Sequence, residues 1–146
     1  MAPQSEAALR TLYRDEANQL DRQLSSAAKA LAAFLTDLGA ARRSRVTVVV
    51  MTEFGRRVQM NASGGTDHGH GSLMWLLGGG LAGASVYGKW TPLAANTLDS
   101  GDVPALNGAF DMLGELAQKR LGVGQLGTLF PGRTFAPLNL ARVAAA

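Results

Sequence analysis

The 146-residue chain has the length of one domain, and its composition of 47% hydrophobic and 17% charged residues is typical of a globular rather than a disordered protein. It has no cysteine, which excludes disulfides and thiolate-bound metals. The net charge of +3 comes largely from short arginine clusters without accompanying aromatic residues, so we do not expect nucleic-acid binding. No stretch is apolar enough for a membrane span, so we do not expect membrane binding.

The first predicted element is a long helix from Ser5 to about Leu38. Its apolar residues recur at steps of three and four, namely Leu20, Leu24, Ala28, Leu31, Leu35 and Leu38. Gly39 follows directly and is predicted to end this helix, because glycine is common just after the last helical turn.

An apolar run rich in β-branched residues at 46–52 predicts a buried strand. Because it lacks polar alternation, we expect this strand to be covered on both faces, as in a parallel sheet flanked by helices. The glycine-rich stretch 53–71 is predicted to be an irregular functional loop, in which glycine lets the backbone approach a ligand closely. A second buried strand at 72–77, a short strand at 86–87 and a helix at 108–121 complete an α/β fold with a mostly parallel sheet.

Metal-ligand side chains follow the first predicted strand. Glu53 comes just after its end, and ligands of parallel α/β sheets bind beyond the carboxyl ends of the strands. Asp67, His68 and His70 lie in the next loop, and carboxylates and imidazoles are ligands that zinc and manganese accept. The spacing alone leaves a metal site and a solvated loop with a turn-forming Asp67 as equal alternatives.

A metal ion at this edge would polarise a phosphoryl or sulfuryl oxygen and activate a water or hydroxyl nucleophile. Arg56 matches the geometry of a tetrahedral oxyanion, and Asn61 lies in the same loop, so both are candidate substrate-binding residues. Alternatively, Arg56 is an ordinary surface charge, and Glu53 forms an ion pair with Arg56 or Arg57.

Several strings of sequence resemble one bacterial family. They are VVVMTEFGR at 48–56, GGTDHGHG at 64–71, GGGLAG at 78–83, VYGKW at 86–90 and FPG at 130–132. Their order and spacing are similar to the family catalogued as domain of unknown function 1501, from about residue 20 to residue 132.

This resemblance implies the alkaline phosphatase and sulfatase superfamily, and hence a hydrolase of small phosphate or sulfate esters with two metal ions. It implies a partial three-layer sandwich of alkaline-phosphatase-like type. It assigns Glu53, Asp67 and His68 as metal ligands and ranks His70 lower, because the family often has another residue there. The implied cofactor is a divalent metal, namely zinc, manganese or calcium.

The chain also departs from the family pattern. The family's nucleophile and its W-D-x-H ligand motif are expected before the long helix, and its T-D-Y-R is replaced by Asn107-Gly-Ala-Phe110. We therefore expect 1–146 to be one domain, the C-terminal portion of such a hydrolase, and to be inactive as an isolated chain. The sequence as written has no signal peptide, which predicts a cytoplasmic protein, whereas full-length relatives are often exported.

Three functions stay open at this point. The first is a portion of a hydrolase, whose partner is the missing N-terminal part. The second is a non-catalytic binding or self-assembly module, which would form a homodimer through exposed sheet edges. The third and weakest is a nucleic-acid contact through the arginines.

Overall fold

A computed structural model describes residues 6–83 and 85–144, with side chains from residue 19 onward. Within these residues the helices are α1 (Glu6–Arg43), α2 (Ala109–Leu121) and α3 (Leu126–Leu129), and a short 3-10 turn spans Ala95–Thr97. The strands are β1 (Thr47–Val50), β2 (Gly55–Met60), β3 (Thr66–Gly69) and β4 (Trp75–Gly78). The predicted helix at 108–121 is thus confirmed within one residue.

Gly39 breaks α1 rather than ending it. Its backbone angles of φ 64° and ψ 170° are not helical, and glycine reaches them without a Cβ clash. Arg42 then reaches back, with Nε donating to the Leu38 carbonyl at 3.0 Å and a terminal nitrogen donating to the Asp37 carbonyl at 3.1 Å. These bonds tie the Arg42 side chain across the break to the last turn before Gly39. The predicted start at Ser5 lies outside the described residues.

The apolar side of α1 is largely uncovered. Leu20, Leu24 and Phe34 are 61%, 44% and 47% exposed, and no other element in the described part of the chain packs extensively against α1. A helix gains most of its stability from packing of an apolar face, so α1 receives little support here. None of the described helices combines the length and apolar character needed to cross a membrane.

The prediction of a mostly parallel sheet in a partial three-layer sandwich is wrong. The described residues form two separate two-stranded sheets, β1 with β4 and β2 with β3, and both are antiparallel. Parallel neighbours need a crossover connection, usually a helix. Here the segment between β1 and β4 folds instead into the β2–β3 hairpin, which returns the chain in the antiparallel direction.

The β1–β4 sheet contributes one face to the core. Val49 and Leu76 are cross-strand partners, and such partners share a face of the sheet. Both pack against the buried cluster of Leu116, Leu140 and Ala141, which joins the sheet, α2 and the C-terminal segment. On the opposite face, Trp75 is 42% exposed. The predicted covering of the first strand on both faces is therefore not found in the described structure.

Glu115 is a buried acid that ties the C-terminal segment to α2. Only 2% of the residue is exposed, and its carboxylate accepts hydrogen bonds from the backbone N–H of Leu138 at 2.8 Å and of Ala141 at 3.0 Å. Lys119 Nζ donates to the same carboxylate at 2.8 Å, one helical turn later. Burial alone would raise the pKa of the Glu115 carboxyl, but these hydrogen bonds and the Lys119 charge outweigh it and lower the pKa below its ordinary value of 4.5.

This lowered pKa predicts acid sensitivity. A carboxyl group with a lower pKa in the folded state stabilises the fold above its unfolded pKa, and that contribution is lost as the pH falls through the folded value. The free energy of unfolding is therefore expected to fall below about pH 4.5, and to fall less steeply in Glu115→Gln. Urea denaturation at pH 3.5, 4.5 and 6 measures this difference. Equal acid dependence in the two proteins would contradict it.

Candidate functional site

Asn61 organises the turn between β2 and β3. Its side-chain oxygen accepts hydrogen bonds from the backbone N–H groups of Ser63 at 3.0 Å and Gly65 at 3.1 Å, which is a local turn that asparagine favours. Gly64 adopts φ 82°, which suits glycine. Asn61 Nδ2 also donates to Asp67 Oδ1 at 2.8 Å. Asn61 thus orients Asp67, and its predicted contact with a substrate stays a prediction.

Glycines at the base of the hairpin serve close contact between backbone segments. A Cβ added at Gly55 would collide with the Gly71 carbonyl, and one added at Gly69 would meet the Arg56 backbone. At Gly71 the obstruction would be the carbonyls of Val103 and Pro104. The predicted role of the glycine-rich stretch was close approach to a ligand. The described contacts of these three glycines are with the chain's own backbone, in a region that proves to be a hairpin rather than an irregular loop.

Glu53 lies between β1 and β2, at an exposed bend. Together with Met51, Thr52 and Phe54 it lines an open depression of ≈ 510 Å³. Thr52 Oγ1 lies 3.2 Å from Ser72 Oγ, which links this bend to the segment leading into β4. The carboxylate of Glu53 is therefore accessible, three residues beyond the end of β1 rather than directly after the strand as predicted.

His68 stacks on Phe54. Their ring centroids are 3.6 Å apart with an angle of 19° between the planes, which places the imidazole beside the residue that follows Glu53. Arg56 is the cross-strand partner of His68, and its guanidinium carbon lies 5.6 Å from the Phe54 centroid. One guanidinium nitrogen of Arg56 donates to the Thr66 carbonyl at 2.7 Å. Neither ring nitrogen of His68 has a hydrogen bond within the described residues, so both can meet a ligand.

His70 points to a different group of residues. Its Nδ1 lies 2.8 Å from Asp99 Oδ2 and 3.9 Å from Asp102 Oδ2. The hydrogen bond to Asp99, followed by the negative charges of Asp99 and Asp102, raises the pKa of His70 above its ordinary value of 6.5. Asp102 also lies 3.7 Å from a guanidinium nitrogen of Arg57, so the three charged groups around His70 form one cluster.

The four predicted metal ligands do not converge on one point. Asp67 and His68 are consecutive in β3, and consecutive strand residues project to opposite faces. His70, beyond the end of β3, turns towards Asp99. Among the described residues, no group of three or more acidic or histidine side chains is arranged to hold a metal ion. The hairpin presents single ligands and pairs of ligands, rather than a complete shell.

Sequence reasoning missed Asp99 and Asp102. They flank a tight turn, Asp99-Ser-Gly-Asp102, whose composition indicates a turn but no contact with residue 70. Only the folded chain brings this turn against the base of the hairpin, through backbone hydrogen bonds from Val58 to Gly101 at 3.1 Å and from Val103 to Arg56 at 3.1 Å.

The described part of the chain thus has a small antiparallel hairpin, after a valine-rich strand, that exposes acidic and imidazole side chains. The chain belongs to the family described as protein of unknown function DUF1501, whose model matches residues 14–132. This confirms the family that the sequence strings indicate. No curated protein and no solved structure matches the chain.

Proposed function

We propose that this chain supplies part of the active site of a metal-dependent hydrolase of phosphate or sulfate esters, related to the alkaline phosphatase and sulfatase enzymes. The observation that carries the proposal is that Asp67 and His68 are both exposed on the β2–β3 hairpin, one on each face of β3. Both side chains are exposed, and His68 stacks beside the bend that contains Glu53. Two carboxylates and an imidazole within one short segment are suitable ligands for zinc or manganese, and the carboxylates also suit calcium.

Among the described residues, single side chains rather than a group would contribute to the ligand shell of a divalent metal. The chemistry that such a metal would supply is polarisation of the ester oxygen and activation of a nucleophile. Asp67 is oriented by Asn61 on one face of β3, and His68 is held flat against Phe54 on the other, so each is presented as a single ligand. His70 is the fourth candidate ligand. Arg56 keeps guanidinium N–H donors beyond the one bonded to Thr66, and these match a tetrahedral oxyanion.

A site with so few ligands requires completion from outside the described residues. Hydrolytic zinc sites use three protein ligands and an open position, and we propose that further ligands come from additional chain or a partner. The chain alone is therefore expected to bind metal weakly and to turn over little substrate.

Metal binding tests the proposal. The chain, purified without a histidine tag, is dialysed against zinc, manganese or calcium, and its metal content and melting temperature are measured with and without chelator. We expect bound metal and a melting temperature that chelation lowers, because a ligand that binds only the folded state stabilises it. The double variant Asp67→Ala/His68→Ala should lose both effects. Inorganic phosphate should bind the metal-loaded chain, and more weakly in Arg56→Gln.

The matched control is Asp21→Ala/Lys29→Ala, which removes two charged side chains from the exposed surface of α1. This variant should retain the metal and its effect on melting. Equal metal content in the wild type and the hairpin variant, or none in either, would contradict the proposal.

A second candidate function is self-assembly without catalysis. It is favoured by the exposed leucines of α1, which a second copy of the chain would cover. A stable dimer by light scattering, in a protein that takes up no metal, would replace the hydrolase proposal with this one.

A further inference from the structure

The strand β1 has one paired edge and one open edge. The carbonyl of Val46 accepts a hydrogen bond from the backbone N–H of Gly79 at 2.8 Å, which continues the antiparallel register of β1 and β4. Opposed residues in such a ladder alternate between hydrogen-bonded and non-hydrogen-bonded pairs. The backbone groups of Thr47 and Val49 therefore point away from β4. In the described part of the chain, no strand lies on that side and these groups have no hydrogen-bond partner.

The residues of β1 do little to protect this open edge. Charged side chains, proline and bulges are among the features that keep natural edge strands from pairing with other strands. The run Val-Thr-Val-Val-Val-Met at 46–51 has no charge and no proline, and β1 pairs with β4 without a bulge. An uncharged edge rich in β-branched residues favours the addition of a further strand.

The order of the outward groups fits a second copy of the chain as that strand. In an antiparallel pair centred on Val48, Thr47 of one copy lies opposite Val49 of the other. The outward N–H and C=O groups of both residues then find hydrogen-bond partners. Val48 meets its own copy at a two-fold axis, and use of the same patch by both subunits is typical of dimers.

The charges beside β1 favour the antiparallel direction. Arg45 precedes the strand and Glu53 follows it, and both residues are exposed. An antiparallel copy brings Arg45 of each chain towards Glu53 of the other, and opposite charges on neighbouring strands stabilise their pairing. A parallel copy would instead place like charges side by side, which destabilises the pair.

We propose that the chain forms a two-fold dimer through the open edge of β1. The two β1–β4 sheets join into one antiparallel sheet in the order β4–β1–β1–β4. Because opposed residues share a face, Val49 and the buried cluster of each copy lie on the same side of the joined sheet. This dimer involves a different edge from the metal-binding hairpin and does not depend on the proposed function. It also differs from association through the leucines of α1.

Cross-linking tests the register of the two strands. The chain has no cysteine, so a single substitution to cysteine reports one position. Under mild oxidation with copper phenanthroline, Val48→Cys should give a disulfide-linked dimer, because opposed Cβ atoms in such a pair lie about 4.5 Å apart. Val50→Cys is the matched control, since the antiparallel register places it opposite residue 46 rather than its own copy. Equal cross-linking of the two variants, or none in Val48→Cys, would overturn the proposed pairing.

Light scattering tests the dimer in solution. The wild type should have twice the mass of one chain, and Val48→Lys should be a monomer because like charges meet at the axis. Val48→Glu should also be a monomer, and an equal mixture of the two variants should restore the dimer, which shows that both fold. Leu20→Ser/Leu24→Ser on α1 is the control and should remain a dimer.

Three outcomes of light scattering would overturn the inference. A wild type that is monomeric would leave the edge of β1 to a strand of another protein. A dimer that persists in Val48→Lys but not in the α1 variant would assign the association to α1. A mixture of the lysine and glutamate variants that stays monomeric, although both are folded by circular dichroism, would show that Val48 does not lie at the axis.

Discussion

Replacing Glu115 with alanine is expected to lower the free energy of unfolding by about 3 kcal/mol. The substitution removes the acceptor for the backbone N–H groups of Leu138 and Ala141, in a place where only 2% of Glu115 is exposed. Buried donors without an acceptor carry their full desolvation cost. Because Leu140 and Ala141 belong to the buried cluster, loss of these bonds should also loosen the core.

Chemical denaturation followed by circular dichroism measures this loss. Gln118→Ala is the control, since it shortens an exposed side chain of the same helix. We expect it to change the free energy of unfolding by less than about 0.5 kcal/mol. If the two variants unfold at the same denaturant concentration, Glu115 does not anchor the C-terminal segment.

Replacing Gly55 with alanine is expected to disrupt the β2–β3 hairpin. Gly55 is buried, and its added Cβ would collide with the backbone carbonyl of Gly71, which cannot move without displacing the hairpin base. Forcing an added methyl group against the backbone lowers the free energy of unfolding by roughly 3 kcal/mol, the upper end of the usual range for overpacking. The same displacement would separate Phe54 from His68, so metal binding should be lost together with stability.

Gly124→Ala is the matched control for this prediction. Its added Cβ would meet no atom within 4 Å, and its φ lies outside the left-handed range that disfavours side chains. Thermal melting should show a large decrease for Gly55→Ala and little change for Gly124→Ala. A melting temperature of Gly55→Ala equal to that of the wild type would show that the hairpin base is not closely packed.

Local sequence patterns predicted the elements better than their arrangement. The repeating apolar residues of α2 defined that helix within one residue, and the valine run marked β1. The predicted parallel direction of the strands is wrong because an unbroken apolar run does not indicate which strands lie next to it. The turn residues Asn61, Gly64 and Gly65 suit an irregular loop as well as a hairpin turn, and their composition alone does not distinguish the two.

For the candidate site, the sequence identified the residue types and their segment but not their directions. Glu53 follows β1 at an exposed bend, and Asp67 and His68 are exposed on β3, where His68 stacks on Phe54. Asp67 and His68 point to opposite faces because they are consecutive residues of a strand. The sequence predicts a loop at this place instead. The partnership of His70 with Asp99 depends on contact between residues 29 positions apart, for which a single sequence has no signal.

The proposed function requires that the β2–β3 hairpin binds a divalent metal. Titration of the ¹⁵N-labelled chain with manganese chloride tests it most directly, because Mn²⁺ broadens the signals of nearby nuclei even when binding is weak. We expect selective broadening of residues 66–70 and of Glu53 at low manganese concentration, and its loss in Asp67→Ala/His68→Ala. Uniform broadening across the chain, or the same selective broadening in the variant, would contradict the claim.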